Sequence, residues 1–448
     1  MIVAKIKNFL NKGDNRTALV KKNIIATFAV KGLSVFISLL YVPITLNYLN
    51  PTRYGIWMTI TSIVAWMTIF DVGLGNGLRN KLSEALTIGD KEKARKYVST
   101  AYFMLSMIVV GVLILFYFVD IWINWSTVLN ASSNYAFELK QLVIIVVTLF
   151  GVKFILNTVA IIATADQKPA YGSVVELIGS ALGLLFIWIL TLFNKSSLHT
   201  FGWATMLTPV VVYFIATLLF FRHKYAFLKP SFKSIELTYA KDLTGLGLQF
   251  FIIQIAVLII FQTSNILISH FFSPAEVTPY NIVFKYYSIL TMFWGILMTP
   301  LWSAFTHAKA QNDIKWMKNT ISKLNKLMIL TVIILIIMSF LGQYVISIWT
   351  AGKVIVSLPM IWIFALYSLI SIWNNIYAFF LNGISEVKIQ IYTSIAAALL
   401  NIPFSFFFVK YFHMGSEGIV LSMAISLSFF AIAGPIQSYK ILNKWSVN

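Results

Sequence analysis

Long apolar runs separated by short polar connections dominate the chain. Twelve runs are candidates for membrane spans: 23–49, 54–80, 97–120, 138–163, 170–193, 200–221, 242–271, 278–305, 317–341, 355–380, 389–409 and 417–440. A crossing helix needs roughly 20 apolar residues. Helix is the default conformation because lipid offers no partner to an unpaired backbone group. The alternating ten-residue pattern of barrel strands is absent. The pattern therefore predicts an all-α membrane protein with about 12 transmembrane helices.

Composition agrees with that reading. The 448 residues are 59% hydrophobic and 11% charged, whereas a soluble domain carries about 25% charged residues. The connections are too short to hold a folded soluble domain. There is no cysteine, and the five histidines lack metal-ligand spacing, so no metal or cofactor is expected.

The net charge of +19 could suggest nucleic acid. Its distribution argues otherwise. Of the 34 basic residues, 26 fall in alternate connections, the span ends bordering them and both termini, five in or beside the opposite connections, and three deeper inside spans. Basic residues gather on the cytoplasmic side, so both termini are expected in the cytoplasm, with an even span number. No basic helix or RNA-reading motif accompanies the charge, and nucleic-acid binding is not expected.

The longest basic connection lies at the midpoint. It divides the chain into a basic N-terminal segment (1–22), a six-helix bundle (23–221), a cytoplasmic linker (222–241), a second six-helix bundle (242–440) and a tail (441–448). The halves echo each other. Asn50-Pro51-Thr52-Arg53-Tyr54-Gly55-Ile56-Trp57 corresponds to Ser273-Pro274-Ala275-Glu276-Val277-Thr278-Pro279-Tyr280, and Ala165-Asp166-Gln167-Lys168 to Gly383-Ile384-Ser385-Glu386-Val387-Lys388. Parallel repeats of this kind are a transporter design, with the substrate path between the halves.

Polar residues at membrane depth are the candidates for function, because each buried charge costs about 2.5–3.5 kcal/mol on insertion scales. In the first span Asn23, Thr27, Lys31, Ser34 and Ser38 recur at helical spacing, as one polar stripe. Gln254, Gln262 and Asn265 share a face of the seventh span, and Asn281, Lys285 and Ser288 a face of the eighth. Lys153 and Asn157 lie one turn apart in the fourth. These residues predict a hydrated lumen with three head-group lysines, Lys31, Lys153 and Lys285. Asp71 and Arg79 in the second span, and Glu176 in the fifth, are candidates for structural ion pairs or for ion coupling; Asp71 is placed to meet Lys31. The lysine excess makes the interior cationic, which suits an anionic substrate such as a diphosphate head group.

Tyr54-Gly55-Ile56-Trp57 followed by Asp71-Val72-Gly73-Leu74-Gly75-Asn76-Gly77-Leu78-Arg79-Asn80 resembles the second-span signature of the O-antigen and polysaccharide-repeat flippases. Leu381-Asn382-Gly383 with Lys388-Ile389-Gln390 is similar to their loop after span ten. These flippases share an exporter superfamily with the multidrug and toxin extruders. The resemblance implies two pseudo-symmetric six-helix bundles around a central cavity. It implies flipping of an undecaprenyl-diphosphate-linked oligosaccharide across a bacterial inner membrane by alternating access, coupled to an H⁺ or Na⁺ gradient or the membrane potential. Membrane lipids, a polysaccharide polymerase and chain-length machinery are the partners it implies, around a monomeric transport unit. The family often carries basic residues in spans one, seven and eight; Lys31 and Lys285 match, and the seventh span has none.

Two other classes compete. A multidrug extruder would want deep carboxylates for cation exchange, and few are present. A membrane polymerase or glycosyltransferase would want charged residues in a large outer loop, and the longest, 121–137, has none.

Overall fold

The computed structural model describes residues 15–445 apart from 72, 167, 194–195, 223 and 245–247, with side chains described from Ala29 onward except at 76, 169, 244, 248–253, 300, 303, 306–307 and 310. All regular structure among these residues is helical. Eleven helices among the described residues are long and apolar enough to cross a membrane.

The apolar runs become α1 (Asn15–Tyr48), α2 (Pro51–Ala65), α3 (Leu74–Thr87), α4 (Lys91–Asp120), α5 (Ala136–Leu156), α6 (Thr158–Ala165), α7 (Pro169–Thr191) and α8 (Leu198–Arg222). After the short α9 (Thr238–Thr244) come α10 (Leu248–Phe271), α11 (Pro274–Ala310), α12 (Ile314–Trp349), α13 (Leu358–Gly383), α14 (Lys388–Lys410) and α15 (Ser416–Trp445).

The second span differs most from expectation. The run 54–80 is not a single helix. Helix α2 passes into a 3₁₀ segment, Trp66–Asp71, and α3 begins only at Leu74. The cause is local. Gly73 adopts φ +80°, a left-handed conformation that a side chain would oppose. Asp71 Oδ1 accepts the Gly75 N–H at 3.0 Å, satisfying a donor that the start of α3 would leave open. A hydropathy reading counts apolar residues and cannot see a change of φ.

The helices gather into two compact units. The first takes the described residues up to Tyr48, then Met67–Trp125 and Asn134–Leu248. The second takes Leu49–Trp66, Ser126–Ser133 and the residues from Gln249 onward. Thus α2 packs with the second unit, although its sequence lies within the expected 23–221 bundle. Its N-terminus is tied there: the Thr278 hydroxyl of α11 donates to the Pro51 carbonyl at 2.5 Å.

The first unit is built on Leu78, Leu82, Tyr97, Val98, Ile162 and Phe220. The midpoint connection is docked onto it. Glu236 pairs with Lys96 at 3.2 Å, its N–H bonds to the Thr100 hydroxyl at 3.0 Å, and Tyr97 donates to Asp242 at 3.2 Å. The Lys96 ammonium and the Thr238 hydroxyl hold the Glu236 carboxyl below its ordinary range. The second unit is built on Trp294, Met298, Phe305, Ile321, Ile376 and Phe380.

The turn 166–168, before α7, is clamped by charge. Asp166 accepts from Tyr225, meets Lys168 at 2.9 Å, and has Lys224 at 3.7 Å. Burial pushes its carboxyl up, but the Tyr225 and Lys168 hydrogen bonds and the two ammonium charges outweigh that and lower it overall.

Candidate functional site

In the first unit, Lys153 and Glu176 are brought together. Lys153 on α5 reaches Glu176 on α7 at 3.0 Å, and Tyr213 on α8 donates to the other carboxylate oxygen at 3.0 Å. The lysine also sits 5.8 Å from the centre of the Tyr213 ring. One ion pair therefore ties three helices, and the lysine expected at a head group already has a counter-charge. Tyr213 was not singled out from sequence, because a phenol 37 residues from Glu176 carries no local signal. A double-mutant cycle on Lys153→Met and Glu176→Gln is expected to give a coupling of roughly 0.2–1 kcal/mol, the range of partly exposed pairs. The double variant should still transport, as a leaflet assay would show; lost transport at a normal protein level would give the pair a direct role.

Lys31 and Asp71 make no ion pair. Asp71 is engaged with the start of α3, while Lys31 is exposed on α1 and has no counter-ion among the described residues. Arg79 is exposed on α3, beyond the break, so it and Asp71 do not share one helix face. The cap and the charge of Asp71 can be separated. Asp71→Asn keeps an acceptor for Gly75 and should leave stability within about 0.5 kcal/mol, whereas Asp71→Ala should cost about 1 kcal/mol, as cap removal does. Thermal unfolding measures both. Transport lost in Asp71→Asn, with the fold intact, would assign the carboxylate to ion coupling.

Of the polar stripe on α1, Ser34 donates to the Val30 carbonyl at 2.9 Å and Ser38 is half-buried. Asn23 and Thr27 lie outside the described side chains. Asn157 sits at the break between α5 and α6, its N–H on the Lys153 carbonyl at 2.8 Å.

In the second unit, Asn265 and Asn281 turn inward. Asn265 donates to Ser62 of α2 at 2.6 Å, and Asn281 donates to the Asn265 side-chain oxygen at 2.8 Å. Both are buried. They bond three helices to one another instead of lining a lumen. Ser288 donates to the Lys285 carbonyl at 2.7 Å. Lys285 has no hydrogen bond or counter-ion among the described residues. Gln254 and Gln262 are half-buried, and Gln262 lines an open recess of about 430 Å³.

Among the described residues singled out at depth there are thus two lysines without a counter-ion, Lys31 in the first unit and Lys285 in the second, one lysine neutralised by Glu176, and Asp71 held by a backbone N–H. Such a pattern can hold an anion.

Comparison with known proteins now places the chain. Residues 20–307, well over half its length, match the model of the family described as polysaccharide biosynthesis protein. The chain belongs to that family. Residues 250–407 also match the model described as MatE. A Yersinia pseudotuberculosis protein named for O-antigen export is 22% identical over 370 residues, covering 80% of this chain and 81% of that one. A Salmonella typhi protein named as an O-antigen transporter is 21% identical over 416 residues, covering 89% and 90%. The fold matches an inward-facing multidrug-resistance MATE family transporter of the MOP superfamily, with TM-score 0.77 at 14% identity over 95% of this chain and 99% of that one. A further MOP superfamily transporter, from Pyrococcus furiosus, aligns with TM-score 0.61 at 14% identity over 98% of each chain. The polysaccharide biosynthesis family member described here is therefore a multi-pass membrane protein with a MATE-like fold.

Proposed function

We propose that the protein flips an undecaprenyl-diphosphate-linked oligosaccharide repeat from the inner to the outer leaflet of a bacterial inner membrane. The observation that carries this reading is the pair of uncompensated lysines at depth. An ammonium is retained in an apolar span when it has a partner, and a diphosphate supplies one with charge-assisted hydrogen bonds. A drug cation would meet the wrong sign. The O-antigen names of the relatives support the substrate class.

In this reading Lys31 and Lys285 each offer the diphosphate a cationic contact. The polyprenyl tail stays in lipid while the sugars cross, and access alternates between leaflets. The termini face the cytoplasm, in keeping with the basic connections. An H⁺ or Na⁺ gradient or the membrane potential drives the cycle, with Asp71 as the candidate coupling group because Glu176 is already paired. In this reading transport itself breaks no bond, and a polymerase and chain-length machinery act on what the protein delivers.

The experiment is a deletion strain. Lipid-linked repeats should accumulate on the cytoplasmic leaflet, with unchanged sensitivity to cationic drugs. Accumulation of flipped but unpolymerised repeats would point instead to a polymerase, and altered drug sensitivity without a glycan defect to an extruder.

A further inference from the structure

The recess of about 430 Å³ in the second unit has a composition that the diphosphate does not explain. Its walls come from α10, α11 and α13. Phe261, Phe284 and Tyr367 form an aromatic side: the Tyr367 ring centre lies 6.3 Å from each of the two phenylalanine rings. Gln262, Asn375 and Ser371 supply polar groups beside them, and no lining residue is charged.

The polar groups are the informative part. Tyr367 is only 5% exposed, yet its hydroxyl makes no hydrogen bond among the described residues. The side-chain amides of Gln262 and Asn375 likewise have no partner among them. All three groups line the open recess with no protein partner among the described residues, so they can bond a polar occupant. A lipid tail would leave all three unsatisfied. A cation or a phosphate would find no opposite charge. An amide, by contrast, offers a donor and an acceptor at once, which matches a sugar hydroxyl, and aromatic faces cover the apolar C–H face of a pyranose.

We propose that this recess is a sugar-recognition subsite, where a neutral pyranose ring packs against Tyr367 and the two phenylalanines, with its hydroxyls bonded by Gln262, Asn375 and Tyr367. The inference rests on the flipping reading and deepens it. Its place is consistent with Lys285. Met292, on the recess wall, follows Lys285 by seven residues on the same face of α11, roughly 10 Å along the helix at 1.5 Å per residue. That separation suits a diphosphate at one end and a sugar joined to it at the other.

The test compares two probes on purified full-length protein in nanodiscs. One is the lipid-linked repeat extracted from the host's own deletion strain; the other is sugar-free undecaprenyl diphosphate. Wild-type protein should bind the first at least tenfold more tightly. Gln262→Ala/Asn375→Ala should erase that preference and keep the affinity for undecaprenyl diphosphate. Tyr367→Phe, which removes one hydroxyl and no packing atom, should reduce the preference by several-fold. A preference unchanged in both variants would overturn the assignment. So would an equal loss for both probes in Tyr367→Phe, which would mark a tail-binding groove. If wild-type protein binds neither probe, the flipping reading itself fails and the subsite falls with it, a pattern distinct from the other two.

Discussion

Lys285→Ala is expected to abolish surface polysaccharide while the protein remains at its normal level in the membrane. Lys285 has no counter-ion among the described residues, so removing its charge breaks no ion pair. Burying an unpaired ammonium costs about 2.5–3.5 kcal/mol on insertion scales, and the alanine variant is relieved of that cost. Stability should therefore hold or rise. What is lost is an anchor for the diphosphate: a hydrogen bond to a charged group contributes roughly 1.5–3 kcal/mol, one to two decades of affinity. Lys285→Arg should restore part of the activity, because the charge returns with a different donor geometry. Lys31→Ala should behave alike. Surface polysaccharide measured by gel and blot, beside protein level, separates the outcomes. Normal polysaccharide in both alanine variants would remove the cationic mechanism.

Gly55→Ala is expected to be the most damaging single methyl group in the second unit. A Cβ at residue 55 would overlap the carbonyl carbon and oxygen of Pro274, where α2 meets the first turn of α11. The obstacle is backbone, which cannot swing aside as a flexible side chain can. Either α2 shifts or α11 does, and the Thr278–Pro51 hydrogen bond at this contact would shift with them. Overpacking costs typically 1–3 kcal/mol, and a backbone obstacle places this variant at or above the upper end. The expected result is a lowered unfolding temperature and a reduced membrane level; Gly55→Val should be worse. Wild-type stability in Gly55→Ala would show that the two helices are not in close contact.

These two residues illustrate what sequence can and cannot disclose. Lys285 was legible because a charge inside an apolar run is an energetic anomaly visible in one dimension. Gly55 was legible only as part of a motif, since the reason for a glycine lies in what approaches it. Asp71 and Gly73 were read within an unbroken span, because hydropathy records composition and the break is a matter of φ and one side-chain hydrogen bond. Lys153 and Glu176 each stand out as deep charges, but their pairing depends on how α5 and α7 are rotated, which no pattern in the 22 intervening residues specifies. Asn265 and Asn281 read in sequence as lumen-lining polar groups, whereas both are buried between helices. Their bonding to each other and to Ser62 depended on the packing of α2 into this unit. The helix inventory itself was read well, because the length of an apolar run is a direct statement about the solvent it was built for.

The central claim is that the protein moves a lipid-linked glycan across a bilayer, and a leaflet assay in proteoliposomes tests it most directly. Fluorescently labelled lipid-linked repeat is incorporated with purified wild-type, Lys31→Ala or Lys285→Ala protein, and dithionite quenches the label in the outer leaflet. The account predicts near-complete quenching with wild-type protein under an imposed ion gradient or membrane potential, and a plateau near one half with either alanine variant or with empty vesicles. Wild-type protein that leaves the inner-leaflet label protected under every imposed gradient and potential would contradict it.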